Sequence, residues 1–164
     1  LAMRERRSRE PLLRAPKPKT EASTYEDYCL AELRAGGFRI TMPRVQVIRA
    51  LADTKHALSA YAIHEKIISG GGKIDVVSVY RILATLQEVG LIHHVGIVDG
   101  YFPCRIPKTA GVKSELLVDE ETQSIVELAL PEGIYETVVS QAKEHGYDLK
   151  GVKVELIGTF VKKR

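Results

Sequence analysis

The chain has 164 residues, room for one ordinary domain or two small ones, and at 45% hydrophobic it can build a core. No apolar run approaches the roughly 20 residues a membrane helix needs, and a charged N-terminal stretch leaves no signal peptide expected. Only two cysteines occur, Cys29 and Cys104, which excludes a disulfide framework and fits a reducing, cytoplasmic setting. Net charge is +3, unevenly placed: residues 1–20 hold seven Lys/Arg against Glu5 and Glu10, while the remainder holds 17 basic and 19 acidic residues.

Residues 1–22 therefore read as a basic arm, rich in Arg, Pro and Lys and poor in apolar residues. Its charge could touch phosphates, but a tail is the favoured reading. Tyr25 to Arg34 is predicted helical, with Tyr25, Cys29 and Leu33 on one stripe, Leu30 beside it, and Gly36-Gly37 as the stop. A second helix is expected over Thr41 to Ala52, with Thr41 as cap, Pro43 in the first turn, and Val45, Ile48 and Leu51 at helical spacing. A third spans Ser59 to Ser69, capped by Ser59, with Ile63 and Ile67 inward, and Gly70-Gly71-Gly72 breaks it.

Asp75 to Gly90 is the most strongly patterned stretch. Val79, Ile82, Leu83, Leu86 and Val89 build a face to be buried, Asp75 suits the N-cap and Gly90 the stop. The other face carries Ser78, Arg81, Thr85 and Glu88, with Tyr80 on its edge. A hydroxyl, a phenol and a guanidinium near an exposed helix N-terminus suit the major groove of DNA, where Arg grips guanine or phosphate and Tyr packs on a thymine methyl. For this helix alone an ordinary solvated face is the favoured reading, and the neighbouring segments overturn it.

Leu91 to Ile97 and Tyr101 to Arg105 read as two strands around a Val98-Asp99-Gly100 turn. Helices followed at once by a hairpin make a winged helix. Pairing His93 with Cys104 would set them face to face, and pairing His93 with Ile106 would make them diagonal neighbours. Both registers put them on one side of the ribbon, where an imidazole and a thiol are reasonable zinc ligands. Ile106 to Lys113 is a linker by composition. Then come a strand near Glu115–Val118, an acidic turn Asp119-Glu120-Glu121, a strand near Ser124–Leu130, a helix from Pro131 to near His145, and a strand over Val152 to Val161. A β-β-α-β unit of about 50 residues buries little surface alone and is expected to pair with its twin.

Several phrases carry a family resemblance. FRITMPR, Phe38 to Arg44, matches a pattern of an aromatic or aliphatic residue, a basic residue, then Thr-x-x-Arg. SAY, Ser59 to Tyr61, matches the opening of a third helix; SVYR, Ser78 to Arg81, followed by Leu83 and Leu86, matches a Thr-Val-Tyr-Arg recognition motif; Gly90-Leu91-Ile92 matches the entry to the wing. In this order they resemble the ferric uptake regulator (Fur) superfamily, from about residue 23 onward. LSAY, GLIHHV and YFPC resemble its zinc uptake regulator (Zur) branch more than the iron branch.

The resemblance implies an α+β protein: a winged-helix DNA-binding domain at 23–105, a linker at 106–113 and a dimerisation domain at 114–164. It implies a homodimeric transcription regulator, a repressor, on a palindromic, AT-rich operator. Tyr80 and Arg81 would read bases; Ser78 keeps the motif's hydroxyl; Arg39 would reach the minor groove or a phosphate; Arg44 and Tyr61 would support or contact the backbone. In the zinc branch a His and a Cys at the places of His93 and Cys104, with a Glu matching Glu127, bind the regulatory metal.

The departures matter as much. The superfamily's His-x-His-Leu-x-Cys-x-x-Cys-Gly stretch stands here as KSELLVDEETQ, Lys113 to Gln123, with Asp119 and Thr122 at its cysteine positions. A fourth regulatory ligand, a His in the linker, falls near Val112 and is missing, which leaves Glu115 or Asp119 as substitutes. With two cysteines a structural zinc held by four cysteines of one chain is impossible. At most one zinc or other divalent metal per protomer is expected, with a decayed site as the alternative. His56, His64, His94 and His145 are expected at the surface and Cys29 in the core. No nucleophile motif, P-loop or dinucleotide fingerprint points to an enzyme. The competing reading is an interaction module or heterodimer partner that keeps the fold without its own operator.

Overall fold

Four helices precede the first strand, the last three each begun by a side chain that satisfies one of the free amides. The computed structural model describes residues 22–108 and 111–162; the basic arm, apart from Ala22, lies outside them. The helices are α1 (Ala22–Ala35), α2 (Met42–Ala52), α3 (Ala60–Ser69) and α4 (Val76–Val89). Ser59 Oγ accepts from the Ala62 amide at 3.1 Å and Asp75 Oδ1 from the Ser78 amide at 2.8 Å, while Thr41 caps α2. Gly90 ends α4 in the left-handed region at φ 81°, where a side chain would be strained, and the Leu91 amide then donates back to Leu86 O at 2.8 Å. Cys29, Leu33, Ile48, Leu51, Ile63, Val79, Leu83 and Leu86 are fully buried in one core between the helices. Tyr25 lies beside them, its hydroxyl donating to Leu91 O at 2.8 Å.

The wing departs from the expected register. β1 (Ile92–Val95) and β2 (Gly100–Pro103) are antiparallel, but His93 pairs with Phe102, not with Cys104 or Ile106. The cause is local: Gly96–Val98 form a turn of 3-10 helix and Asp99 is left-handed at φ 45°, so β2 begins earlier than a simple hairpin turn allows. The difference from direct His93–Cys104 pairing is two residues, which preserves the side of the ribbon, so the two side chains still converge. Leu58 joins the wing, exchanging amide–carbonyl bonds of 2.9 and 2.8 Å with Tyr101.

Beyond it, β3 (Val112–Asp119), β4 (Ile125–Pro131), α5 (Glu132–Glu144) and β5 (Glu155–Gly158) complete the α+β fold with the expected β-β-α-β order. The strand order is β4-β3-β5, with β3 antiparallel to β4 and parallel to β5. The final strand is four residues long, shorter than the sequence suggested. Leu116 stands opposite Glu127 on one side and Glu155 on the other. Side chains alternate along strands, so Ser114, Leu116, Val118, Glu127 and Glu155 share the face turned to the wing. Leu116 and Val118 are buried there against Val95 and Phe102. Lys113 and Glu115 take the opposite face, where Tyr135 of α5 donates its hydroxyl to the Glu115 carboxylate.

Candidate functional site

The first candidate surface lies along the N-terminal half of α4. Ser78 is drawn into the cap: its hydroxyl donates to Asp75 Oδ2 at 2.7 Å. That bond, with the Ser78 amide, holds the Asp75 carboxyl below its ordinary range. Tyr80 and Arg81 follow on the exposed side, Tyr80 at 46% exposure. Tyr61, at the start of α3, is 62% exposed, and its ring meets that of Tyr80 edge-on, centroids 6.4 Å apart. Two phenols and a guanidinium thus share one surface, backed by the buried Val79, Ile82 and Leu83. Arg39 and Arg44 form a separate pair before α2. Arg44 Nη1 donates to Arg39 O and its guanidinium lies 5.7 Å from the Phe38 ring centre, so Arg44 shapes the turn on which Arg39 is exposed.

The second candidate is a cluster where the wing meets the β3–β4 sheet. His93 comes from β1, Cys104 from just past β2 and Glu127 from β4, with one nitrogen, sulfur and oxygen all within 4.8 Å of one another. Their mixed imidazole, thiol and carboxylate donors fit zinc with three protein ligands. Burial, and then the Glu127 charge, push the Cys104 thiol up to about 12, so it is protonated near neutrality and must release its proton to bind a metal. Glu127 shows the opposite balance. Burial raises its pKa, but the His93 ring, the Ser114 hydroxyl and the amides of Ile106 and Arg105 outweigh it and hold the group low.

Ser114 is the residue that sequence reasoning missed. Its Oγ lies 3.0 Å from His93 Nε2 and donates to Glu127 Oε1 at 2.6 Å. The signal was available in principle: on paired antiparallel strands, Ser114 and Glu127 are diagonal neighbours on one face. The expected substitutes lie elsewhere. Glu115 is turned to α5 and Tyr135, and Asp119 Oδ1 accepts the Glu121 and Thr122 amides at 2.9 and 3.1 Å. A cleft of about 690 Å³ beside the cluster is lined by His93, Cys104, Ser114, Lys108 and Lys153 among others.

Residues 35–157 match the ferric uptake regulator family. The chain belongs to that family. Its members are transcription regulators that bind DNA and metal, not enzymes. The ferric uptake regulation protein of Pseudomonas fluorescens is 28% identical over 121 residues, covering 73% of this chain and 95% of that protein. Among solved structures, a zinc uptake regulator complexed with zinc and DNA superposes with a TM-score of 0.76 at 22% identity, over 87% of this chain and 94% of that one. The holo form of XcZur gives 0.70 at 25% identity, over 82% and 95%.

Of the other histidines of this Fur-family chain, three hydrogen-bond locally, while His145 is exposed just past α5. His94 Nε2 lies 2.9 Å from Asp99 Oδ1, and His56 Nδ1 3.4 Å from Gln123 O. His64 is half-buried and bonds Ile74 O at 2.9 Å, so it is less of a surface residue than its sequence position suggested. Cys29 is a core thiol as expected. Among the described residues no helix is long and apolar enough to cross a membrane.

Proposed function

We propose that this chain is a repressor that binds a palindromic operator as a homodimer, with metal control reduced to one three-ligand site per protomer. The observation that carries the reading is the exposed Tyr61, Tyr80 and Arg81 surface at the N-terminal half of a helix whose other face is fully buried. Tyr80 and Arg81 read base edges, Tyr61 and Ser78 pack or bond beside them, and Arg39, presented by Arg44, meets phosphate or the minor groove. A DNA-bound zinc uptake regulator among the structural neighbours supports this. Residues 23–105 form the DNA-binding part and 114–164 the dimerisation part, joined by 106–113, and residues 1–22 add positive charge. The apolar side chains of Ile134, Val138, Ile157, Phe160 and Val161, exposed in the single chain, supply the dimer contact.

His93, Cys104 and Glu127 would hold the metal, which when bound cross-links the wing to the sheet. Three ligands leave an open position, so the ion is exchangeable. Selection from a random duplex library, followed by footprinting, tests the reading: a palindromic site protected by a dimer is expected. Recovery of no preferred sequence would favour the interaction-module alternative. Calorimetric zinc titration should give no more than one site per protomer, lost in Cys104→Ser.

A further inference from the structure

One row of side chains crosses the sheet beneath the wing: Glu127 on β4, Leu116 on β3 and Glu155 on β5. Each outer member accepts backbone amides of the wing. Glu155 Oε1 takes the Gly96 amide at 2.7 Å, in the turn between the two wing strands. Glu127 takes the Arg105 amide at 3.0 Å on Oε2 and the Ile106 amide at 3.0 Å on Oε1, where the chain leaves the wing. Between them Leu116 is buried with Val95 and Phe102. Outer strands in such a sheet stand roughly 9–10 Å apart, so the two carboxylates grip the wing at separate points with an apolar contact in the middle. Ser114 donates to Glu127 Oε1, the oxygen that also receives the Ile106 amide, and so fixes the rotamer that makes the grip.

We infer that Glu155 and Glu127 form a carboxylate clamp that docks the wing on the dimerisation sheet through the chain's own hydrogen bonds, with Ser114 as its positioning residue. Hydrogen bonds to a charged acceptor are the stronger kind, and three amides converge here on two carboxylates. Gly96 also suits the clamp, because a Cβ there would sit 3.3 Å from Glu155 Oε2, tighter than ordinary contact. The angle between the recognition helix and the dimer sheet is then set without a metal cross-link. Its consequence, operator binding that persists under chelation, rests on the operator reading above; the clamp itself does not.

Amide hydrogen exchange on the full chain in excess chelator tests the clamp directly. Wild type should protect the amides of Gly96, Arg105 and Ile106. Glu155→Ala should speed exchange at Gly96, and Ser114→Ala at Arg105 and Ile106, each on the order of tenfold, the scale of one lost charge-assisted bond. Glu155→Gln, which keeps an acceptor oxygen and guards against a folding defect in the alanine variant, should recover most of the protection. Zinc affinity of Glu155→Ala should equal wild type. Wing amides protected only after zinc addition, or variants that exchange like wild type, would overturn the clamp. Protection without any selectable operator would sink the operator reading and leave the clamp standing.

Discussion

The helical half and the sheet half of this chain are stabilised from different sources. Between α1 and α4, residues such as Leu33, Leu51, Leu83 and Leu86 are wholly removed from water by one another. In the β3–β5 region only Glu115, Leu116, Val118 and Tyr135 are buried among the described residues, and Leu116 and Val118 owe their burial to the wing. The same region leaves Phe160 77% and Val161 82% exposed. Burial free energy scales with apolar area removed from water, and so small a unit removes little by itself. The helical half supplies its own core; the sheet half draws on the wing at one face and, by the reading above, on a second copy.

The contrast is sharpest in core truncations. Leu83→Ala should cost about 2–5 kcal/mol in denaturant unfolding, whereas Val126→Ala, on a half-open sheet position, should stay within about 0.5 kcal/mol. Similar losses at the two sites would break the comparison. Arg81→Ala should leave unfolding unchanged yet cost about 1–3 kcal/mol at the preferred operator, read by a binding isotherm at fixed salt. Wild-type affinity in that variant would remove α4 from base readout. Ile157→Asp should weaken dimerisation by roughly tenfold, about 1.4 kcal/mol, seen by sedimentation, while helical melting is retained; unchanged assembly would place the dimer contact elsewhere.

The smallest effect concerns acid. The folded state holds the Asp75 carboxyl below its unfolded value, through the Ser78 hydroxyl first. The cap's stabilisation is therefore complete above the ordinary carboxylate range near pH 4 and lost as pH falls through the lowered value. Asp75→Asn still caps a helix, so it should match wild type near pH 7 and show a flatter decline in melting temperature on the acid side. An identical decline would place the acid sensitivity in other carboxylates.

The helices were legible because both their apolar spacing and their caps are local: Thr41, Ser59, Asp75 and Gly90 each act within a few residues of their own position. The wing was harder, because the turn at Gly96–Val98 closes by helical hydrogen bonding that Gly-Ile-Val does not advertise. His93 and Cys104 still converge, since a two-residue slip conserves faces. Glu127 came from family likeness, whereas its partners in this chain, Ser114 and the amides of Arg105 and Ile106, depend on how β3 and the wing exit meet in space. Glu115 failed as a substitute ligand for the same reason: one residue along a strand is the other side of the sheet.

The central place of β3 shapes how the molecule is made. Its antiparallel neighbour β4 follows after a tight turn, but its parallel neighbour β5 is reached only after α5. A ribosome adding about 5–20 residues per second leaves one edge of β3 bare for a few seconds. A bare edge accepts any compatible strand, including one from a neighbouring nascent copy on the same message. Of the three strands of this sheet β5 is made last, so its arrival closes the sheet and ends the interval in which that edge stands open.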